Sequence, residues 1–131
     1  MSKDSYTFEP VGFVESDFAE TRNDPDVFAG MVSRIRIVPR FAEGLFRIEG
    51  FERLYVIYVF DRSQGFEMII HPRGDVTRPE RGVFATHSPR RPNPVGLTVV
   101  DLLGVEGEVL TVRGLDAVDG TPVIDIKPCD R

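Results

Sequence analysis

The run Leu54-Tyr55-Val56-Ile57-Tyr58-Val59-Phe60 constrains this chain more than any other segment. Seven consecutive apolar, β-branched or aromatic residues suit a central strand buried on both faces. They fall far short of the roughly 20 residues that a membrane-spanning helix needs. Shorter runs of the same character surround it. Residues 11–14 follow Pro10 and read as an opening strand, and Arg34-Ile35-Arg36-Ile37 alternates charge with apolarity, the period of a strand with one wet face. Residues 68–70, 97–100, 109–112 and 123–126 add further short strands, with Gly and Pro in the gaps. The helical signal is confined to a turn or two over residues 41–48. So many short strands predict a mostly β, single-domain, barrel-like protein: a sharply folded mixed sheet with little helix.

With 131 residues there is room for one core, so residues 1–131 are read as a single domain. A hydrophobic content of 41% with 28% charged residues is that of a globular chain rather than a disordered one. The N-terminus carries no apolar stretch of the kind that directs secretion, so the expected location is cytoplasmic, with no membrane partner. One cysteine, Cys129, excludes an internal disulfide, and with only His71 and His87 beside it no metal centre is expected. A net charge of −5 does not favour general affinity for nucleic acid. The arginines are clustered, however. Arg73, Arg78, Arg81, Arg90 and Arg91 face only Asp75 and Glu80 between residues 71 and 94, which reads either as an RNA-facing patch or as a solvated loop.

Two long connections, residues 16–30 and 71–96, exceed what a compact domain needs to join its strands, and such loops tend to carry function. The signatures of Rossmann, P-loop, zincin and α/β-hydrolase enzymes are absent. The second loop contains Phe84-Ala85-Thr86-His87-Ser88-Pro89-Arg90-Arg91-Pro92-Asn93-Pro94-Val95-Gly96. Its closely spaced prolines fix φ and hold their predecessors extended, which aims Arg90, Arg91 and Asn93 before any ligand arrives. The same stiffness suits a crossover whose arginines merely meet carboxylates. A second dense segment is Leu115-Asp116-Ala117-Val118-Asp119-Gly120-Thr121-Pro122-Val123-Ile124-Asp125-Ile126-Lys127-Pro128. Asp119-Gly120 is a turn signal, so Asp116 and Asp119 bracket a tight connection. Asp125 and Lys127 share one face of the strand that follows, as functional groups or as a surface charge pair.

These two segments resemble the hallmark motifs of the TsaA-like (YaeB-like) family, whose bacterial tRNA enzymes are termed TrmO. The family patterns G-V-F-A-T-R-S-P-x-R-P-N-P-I-G and D-x-x-D-G-T-P-V-x-D-I-K-P match residues 82–96 and 116–128. The opening Pro10-Val11-Gly12-Phe13-Val14-Glu15-Ser16 and the Gly50-Phe51 approach to Leu54 match as well, so the similarity covers nearly the whole chain. The resemblance implies a compact β barrel that binds S-adenosyl-L-methionine, often as a homodimer. It further implies tRNA as substrate, with methylation of the exocyclic nitrogen of threonylcarbamoyl-adenosine beside the anticodon. Carried over by position, the cofactor contacts are Thr21, Arg22 and Asn23, then Asp61 and Arg62, His87, Leu97, and Leu115, Asp116, Ala117 and Val118. Arg90, Arg91, Asn93 and Lys127 are the expected substrate contacts.

Departures from the pattern bear on function. His87 stands where the family has Arg, which removes a permanent cation and its bidentate fork. Glu52, Arg53 and Cys129 replace the family's Ser, His and aromatic residue. Larger bacterial members continue into a C-terminal domain that helps hold tRNA, whereas this sequence stops at Arg131. A urea-like acceptor nitrogen is a poor nucleophile until its proton is taken, which calls for a general base; Asp119 and Asp125 are the expected candidates. Two other readings remain open at this point: methylation of a small metabolite, and a non-catalytic module that binds the cofactor or RNA.

Overall fold

In a computed structural model, residues 4–17 and 29–130 are described. Eight strands follow in order: β1 (Gly12–Glu15), β2 (Val32–Ile37), β3 (Arg53–Val59), β4 (Ile69–Ile70), β5 (Arg81–Gly82), β6 (Val95–Glu106), β7 (Val109–Arg113) and β8 (Pro122–Pro128). Six of them close a barrel in the order β1-β2-β7-β6-β3-β8, while β4 and β5 form a separate two-stranded hairpin. The expected barrel is present, but every pairing is antiparallel, so the sheet is not mixed. A parallel pair would need a crossover of a dozen or more residues, usually helical. Between residues 38 and 52 the chain supplies only the 3-10 turns Pro39–Leu45 and Ile48–Gly50.

The alternation on β2 is realised in full: Ile35 and Ile37 enter the core while Arg34 and Arg36 face out. There the Arg36 guanidinium bonds Glu15 across the β1–β2 pair and holds the Glu15 carboxyl below its ordinary value. On β3 the outcome differs from the expectation of two buried faces. Leu54, Val56 and Tyr58 are buried, whereas Tyr55, Ile57 and Val59 are only half-buried on the outside. A single sheet closed on itself has an inside but no second layer, so the outer apolar face is left against solvent. The strand also ends at Val59; Phe60 turns back and meets the Tyr58 ring edge-on, with centroids 5.4 Å apart. The core is completed by Val14, Val100, Leu110, Val112, Leu115 and Val123.

Antiparallel order fixes which connections meet. Glu15 pairs with Arg34, Val32 with Arg113, Val59 with Val95, and Pro122 with Phe13. The exit from β1 at residues 16–17, the approach to β2 at residues 29–31, and the connections 60–94 and 114–121 therefore share one rim. The opposite rim carries 38–52 and the 107–108 turn.

Candidate functional site

Residues 60–63, 86–94 and 114–121 are tied together at that shared rim. Arg62 Nη2 donates to the Asp119 carbonyl at 3.1 Å, and Ser63 Oγ donates to the Pro89 carbonyl at 3.1 Å. Ser16 N donates to Asp119 Oδ1 at 2.9 Å, which joins the end of β1 to the same cluster. Gly120, with φ +85°, closes the turn in the left-handed region where a Cβ would be strained. Its amide bonds Val14 O at 2.8 Å.

Beside this cluster the barrel wall opens. β6 pairs with β7 only as far as Asp101↔Arg113 and then runs on to Val95 with β3 as its ladder partner. The wedge left between β6 and the 114–118 segment is a shallow groove of about 380 Å³ lined by Ala29, Thr98, Val99, Asp101, Arg113, Gly114 and Asp116. That volume is at the small end of the roughly 300–1,000 Å³ typical of ligand sites. Its outer lip is an ion pair, with Arg113 Nη2 3.1 Å from Asp101 Oδ2. On the inner side, Tyr58 OH and Thr98 Oγ1 are 2.9 Å apart. Burial pushes the Tyr58 phenol up to about 12, opposed by the Thr98 bond and reinforced by the nearby Asp116 carboxylate. Gly96 makes room for this ring, because a Cβ there would sit 2.6 Å from Tyr58 Cε2.

The residues expected to bind cofactor divide into groups. Asp116 lines the groove, and Leu97 is exposed on the outer face of the strand that forms its wall. Leu115, Ala117 and Val118 have buried side chains, so only their backbone can meet a ligand. Asp61 and Arg62 lie in the exposed turn after β3 and reach the 114–121 segment through the Arg62–Asp119 bond. His87 is exposed at the same rim, outside the groove lining. Thr21, Arg22 and Asn23 lie outside the described residues.

The expected substrate residues also separate. Arg90 is exposed, 3.4 Å from Glu67. Arg91 is turned into its own loop, with Nη1 donating to Thr86 O at 2.9 Å and Ser88 O at 3.3 Å. Asn93 is exposed and its carbonyl accepts from the Val95 amide. Lys127 pairs with Asp125 at 3.1 Å on the outer face of β8, where they neighbour Tyr55 and Ile57 of β3. Asp125 Oδ1 also accepts from Ile126 N. Neither expected base lines the groove: Asp119 is held in its turn and Asp125 lies on the outer wall. Sequence reasoning missed Tyr58 and Thr98, which were absorbed into apolar strand runs, and the Asp101–Arg113 pair. The signal was available in part. A Gly within a strand, here Gly96 near the start of β6, marks a close approach by a neighbour.

S-adenosyl-L-methionine presents a sulfonium cation, an amino-acid tail and a flat heteroaromatic base. The groove offers the Asp116 carboxylate for positive charge, Asp101 being paired with Arg113, the Thr98 hydroxyl as a polar partner, and Ala29 and Val99 as apolar surface. This donor set fits a cationic, partly apolar ligand. Among the described residues no cluster of His, Cys, Asp and Glu could hold a metal ion. No helix among them is long and apolar enough to cross a membrane.

Comparison with known proteins agrees with the motif resemblance. The S-adenosyl-L-methionine-binding protein of Archaeoglobus fulgidus is 46% identical over 122 residues, which covers 91% of this chain and 86% of that protein. The tRNA (adenine(37)-N6)-methyltransferase of Escherichia coli strain K12 is 31% identical over 135 residues, covering 95% of this chain but 57% of that enzyme. A crystal structure of TrmO superimposes with a TM-score of 0.77 at 31% identity, over 95% of this chain and 57% of that one. The family model for the tRNA-methyltransferase O N-terminal domain matches residues 13–130, and the chain belongs to that family.

Proposed function

We propose that this protein is an S-adenosyl-L-methionine-dependent methyltransferase that modifies the N6 nitrogen of an adenosine beside the tRNA anticodon, with threonylcarbamoyl-adenosine as the acceptor. The observation that carries this reading is the similarity to a tRNA (adenine(37)-N6)-methyltransferase along 95% of the chain, with the family match over residues 13–130 taking in the segments that meet at the groove rim. The bound cofactor supplies an activated methyl group. The protein's own work is to bind, orient and remove a proton: the Asp116 carboxylate in the groove attracts the cation, and the rim loops present Arg90 to an anionic substrate. Tritium transfer from labelled cofactor to unfractionated tRNA tests the reading, with tRNA lacking threonylcarbamoyl groups as control. Label in the first and none in the second is the expected result.

A second reading, methylation of a small metabolite, draws support from the 46%-identical archaeal relative, whose name specifies the cofactor alone. Transfer to an extract freed of RNA, and none to tRNA, would favour it.

A homodimer and a cytoplasmic location complete the proposal. The outward residues Val95, Leu97 and Val99 are 39–55% exposed and flank Tyr55, Ile57 and Val59 of β3. Such a continuous apolar stripe is a natural surface for a second copy. Light scattering of the purified chain distinguishes monomer from dimer.

A further inference from the structure

We infer that the β4–β5 hairpin and the turn after it form a docking surface for unpaired RNA, with the Phe84 ring as a platform for a base and Arg81 as a phosphate contact. The inference rests on the RNA substrate of the reading above and says where on the protein that RNA is held. The 60–94 connection, which contains the hairpin, carries six arginines against four carboxylates, so it is net positive within a chain of net charge −5. A polyanion is drawn to such a segment rather than to the rest of the chain. Some of these cations are already engaged. Arg78 lies 3.6 Å from Asp75, Arg90 lies 3.4 Å from Glu67, and Arg91 donates to Thr86 O. Arg81 is exposed, and its guanidinium has no partner among the described residues.

The same hairpin carries apolar surface that the fold does not use. Ile70 and Val83 are buried and anchor it, whereas Phe66, Met68, Ile69 and Phe84 are 50–75% exposed. Phe84 is held on a closed turn. The amide of Val83 before it donates to Met68 O at 2.8 Å, and the Thr86 amide and hydroxyl after it return to Val83 O at 3.1 and 2.8 Å. With its backbone fixed in this way, the ring has little freedom left to lose when a base stacks on it. Across the ladder, Ile69 is paired with Gly82, where even a Cβ would meet nothing closer than Met68 O at 3.9 Å. The outward face of the hairpin is therefore open to a flat ligand.

Exposed rings beside an unpaired guanidinium fit single-stranded nucleotides, whose bases stack while their phosphates meet cations. A stem of paired bases offers phosphates and shape but leaves Phe84 without a partner. A second copy of this chain fits less well, because a two-fold contact centred on the hairpin would set its arginines against their own copies. The segment is tied to the rim by the Ser63 Oγ bond to Pro89 O and the Glu67 amide bond to Arg90 O. RNA held there stays at the end of the barrel that carries the groove.

The test follows the anisotropy of a fluorescent RNA stem-loop with an unpaired loop, beside a full RNA duplex of the same base composition and calorimetry with cofactor alone. The wild type should bind the stem-loop more tightly than the duplex. Phe84→Ala is expected to weaken stem-loop binding by about 5- to 100-fold and to leave duplex binding unchanged, while Phe84→Trp retains the affinity. Arg81→Ala should weaken binding of both RNAs and lower the slope of log affinity against log salt by about 1. Cofactor affinity stays at the wild-type value in each variant. Stem-loop affinity unchanged in Phe84→Ala and Arg81→Ala, or cofactor affinity that falls by the same factor, overturns the inference. So does a wild-type dimer that dissociates in Phe84→Ala with stem-loop affinity intact, since the hairpin would then belong to a second copy. Stem-loop binding that depends on Phe84 and Arg81, without methyl transfer to tRNA, upholds the docking surface and overturns instead the choice of acceptor in the reading above.

Discussion

The hydroxyl of Tyr58 on β3 lies 2.9 Å from that of Thr98 on β6, across strands in which Tyr58 is paired with Gly96 and Thr98 with Val56. The bond is thus a diagonal contact, and it is reached only because the residue opposite Tyr58 has no side chain. Its environment has a consequence for stability at high pH. The folded phenol stays protonated up to about 12, against about 10 for a free tyrosine phenol. Folding is therefore favoured fully below about pH 10 and loses that contribution as pH rises through the folded value, because the unfolded state gives up its proton first. Urea denaturation between pH 9.5 and 12 should show the wild type losing about 1.4 kcal/mol per pH unit from this group. Tyr58→Phe should lose that increment of slope.

Gly96→Ala tests the same packing from the other side. The new methyl would meet Tyr58 Cε2 at 2.6 Å, Tyr58 Cζ at 2.7 Å and Phe60 Cζ at 2.9 Å. Overpacking of this kind costs roughly 1–3 kcal/mol. A denaturation midpoint unchanged from wild type would show that the two rings relocate freely.

Arg90 and Arg91 should behave differently despite their adjacency. Arg90→Ala removes an exposed guanidinium whose partner is Glu67. Stability should change by less than about 1 kcal/mol, while tRNA affinity falls and the loss shrinks as salt is raised. Arg91→Ala instead releases two carbonyls of the 86–88 stretch beside His87. It should loosen the loop and weaken cofactor and tRNA binding together. Filter binding at two salt concentrations, beside calorimetry with cofactor, separates the two patterns.

The Asp125–Lys127 pair should be close to silent in folding. Both side chains are half or more exposed, and such pairs contribute about 0–1 kcal/mol. Asp125→Asn should also leave the rate of methyl transfer to tRNA close to that of the wild type. A loss of about 10²-fold or more in that variant would return Asp125 to the role first expected of it.

The barrel was legible because strand patterning is local. Arg34-Ile35-Arg36-Ile37 announces its two faces, and Asp119-Gly120 announces its turn. The half-exposed outer face of β3 was not legible, since Tyr55 and Ile57 have the same composition as core residues; only closure of the sheet decides which side has a neighbour. The site was legible where irregular motifs mark it, at residues 86–94 and 114–121. Its floor was not. Tyr58 and Thr98 are 40 residues apart and meet through register, which no spacing along the chain encodes. The alternation of Asp125 with Ile124 and Ile126 reveals a face without saying whether that face is inside or out; closure of the sheet puts it on the outer wall.

The seam between β1 and β8 has a temporal meaning. Its ladder is short, Gly12↔Val123 and Phe13↔Pro122, and it joins the two ends of the sequence. Contacts so distant along the chain are entropically expensive to form and slow the search for the native state. Ser16 is bonded to Asp119 immediately beyond this seam, so closing the rim carries the same entropic cost. A cofactor held at that rim would act less as an aid to folding than as a brake on unfolding, lengthening the lifetime of a barrel already closed.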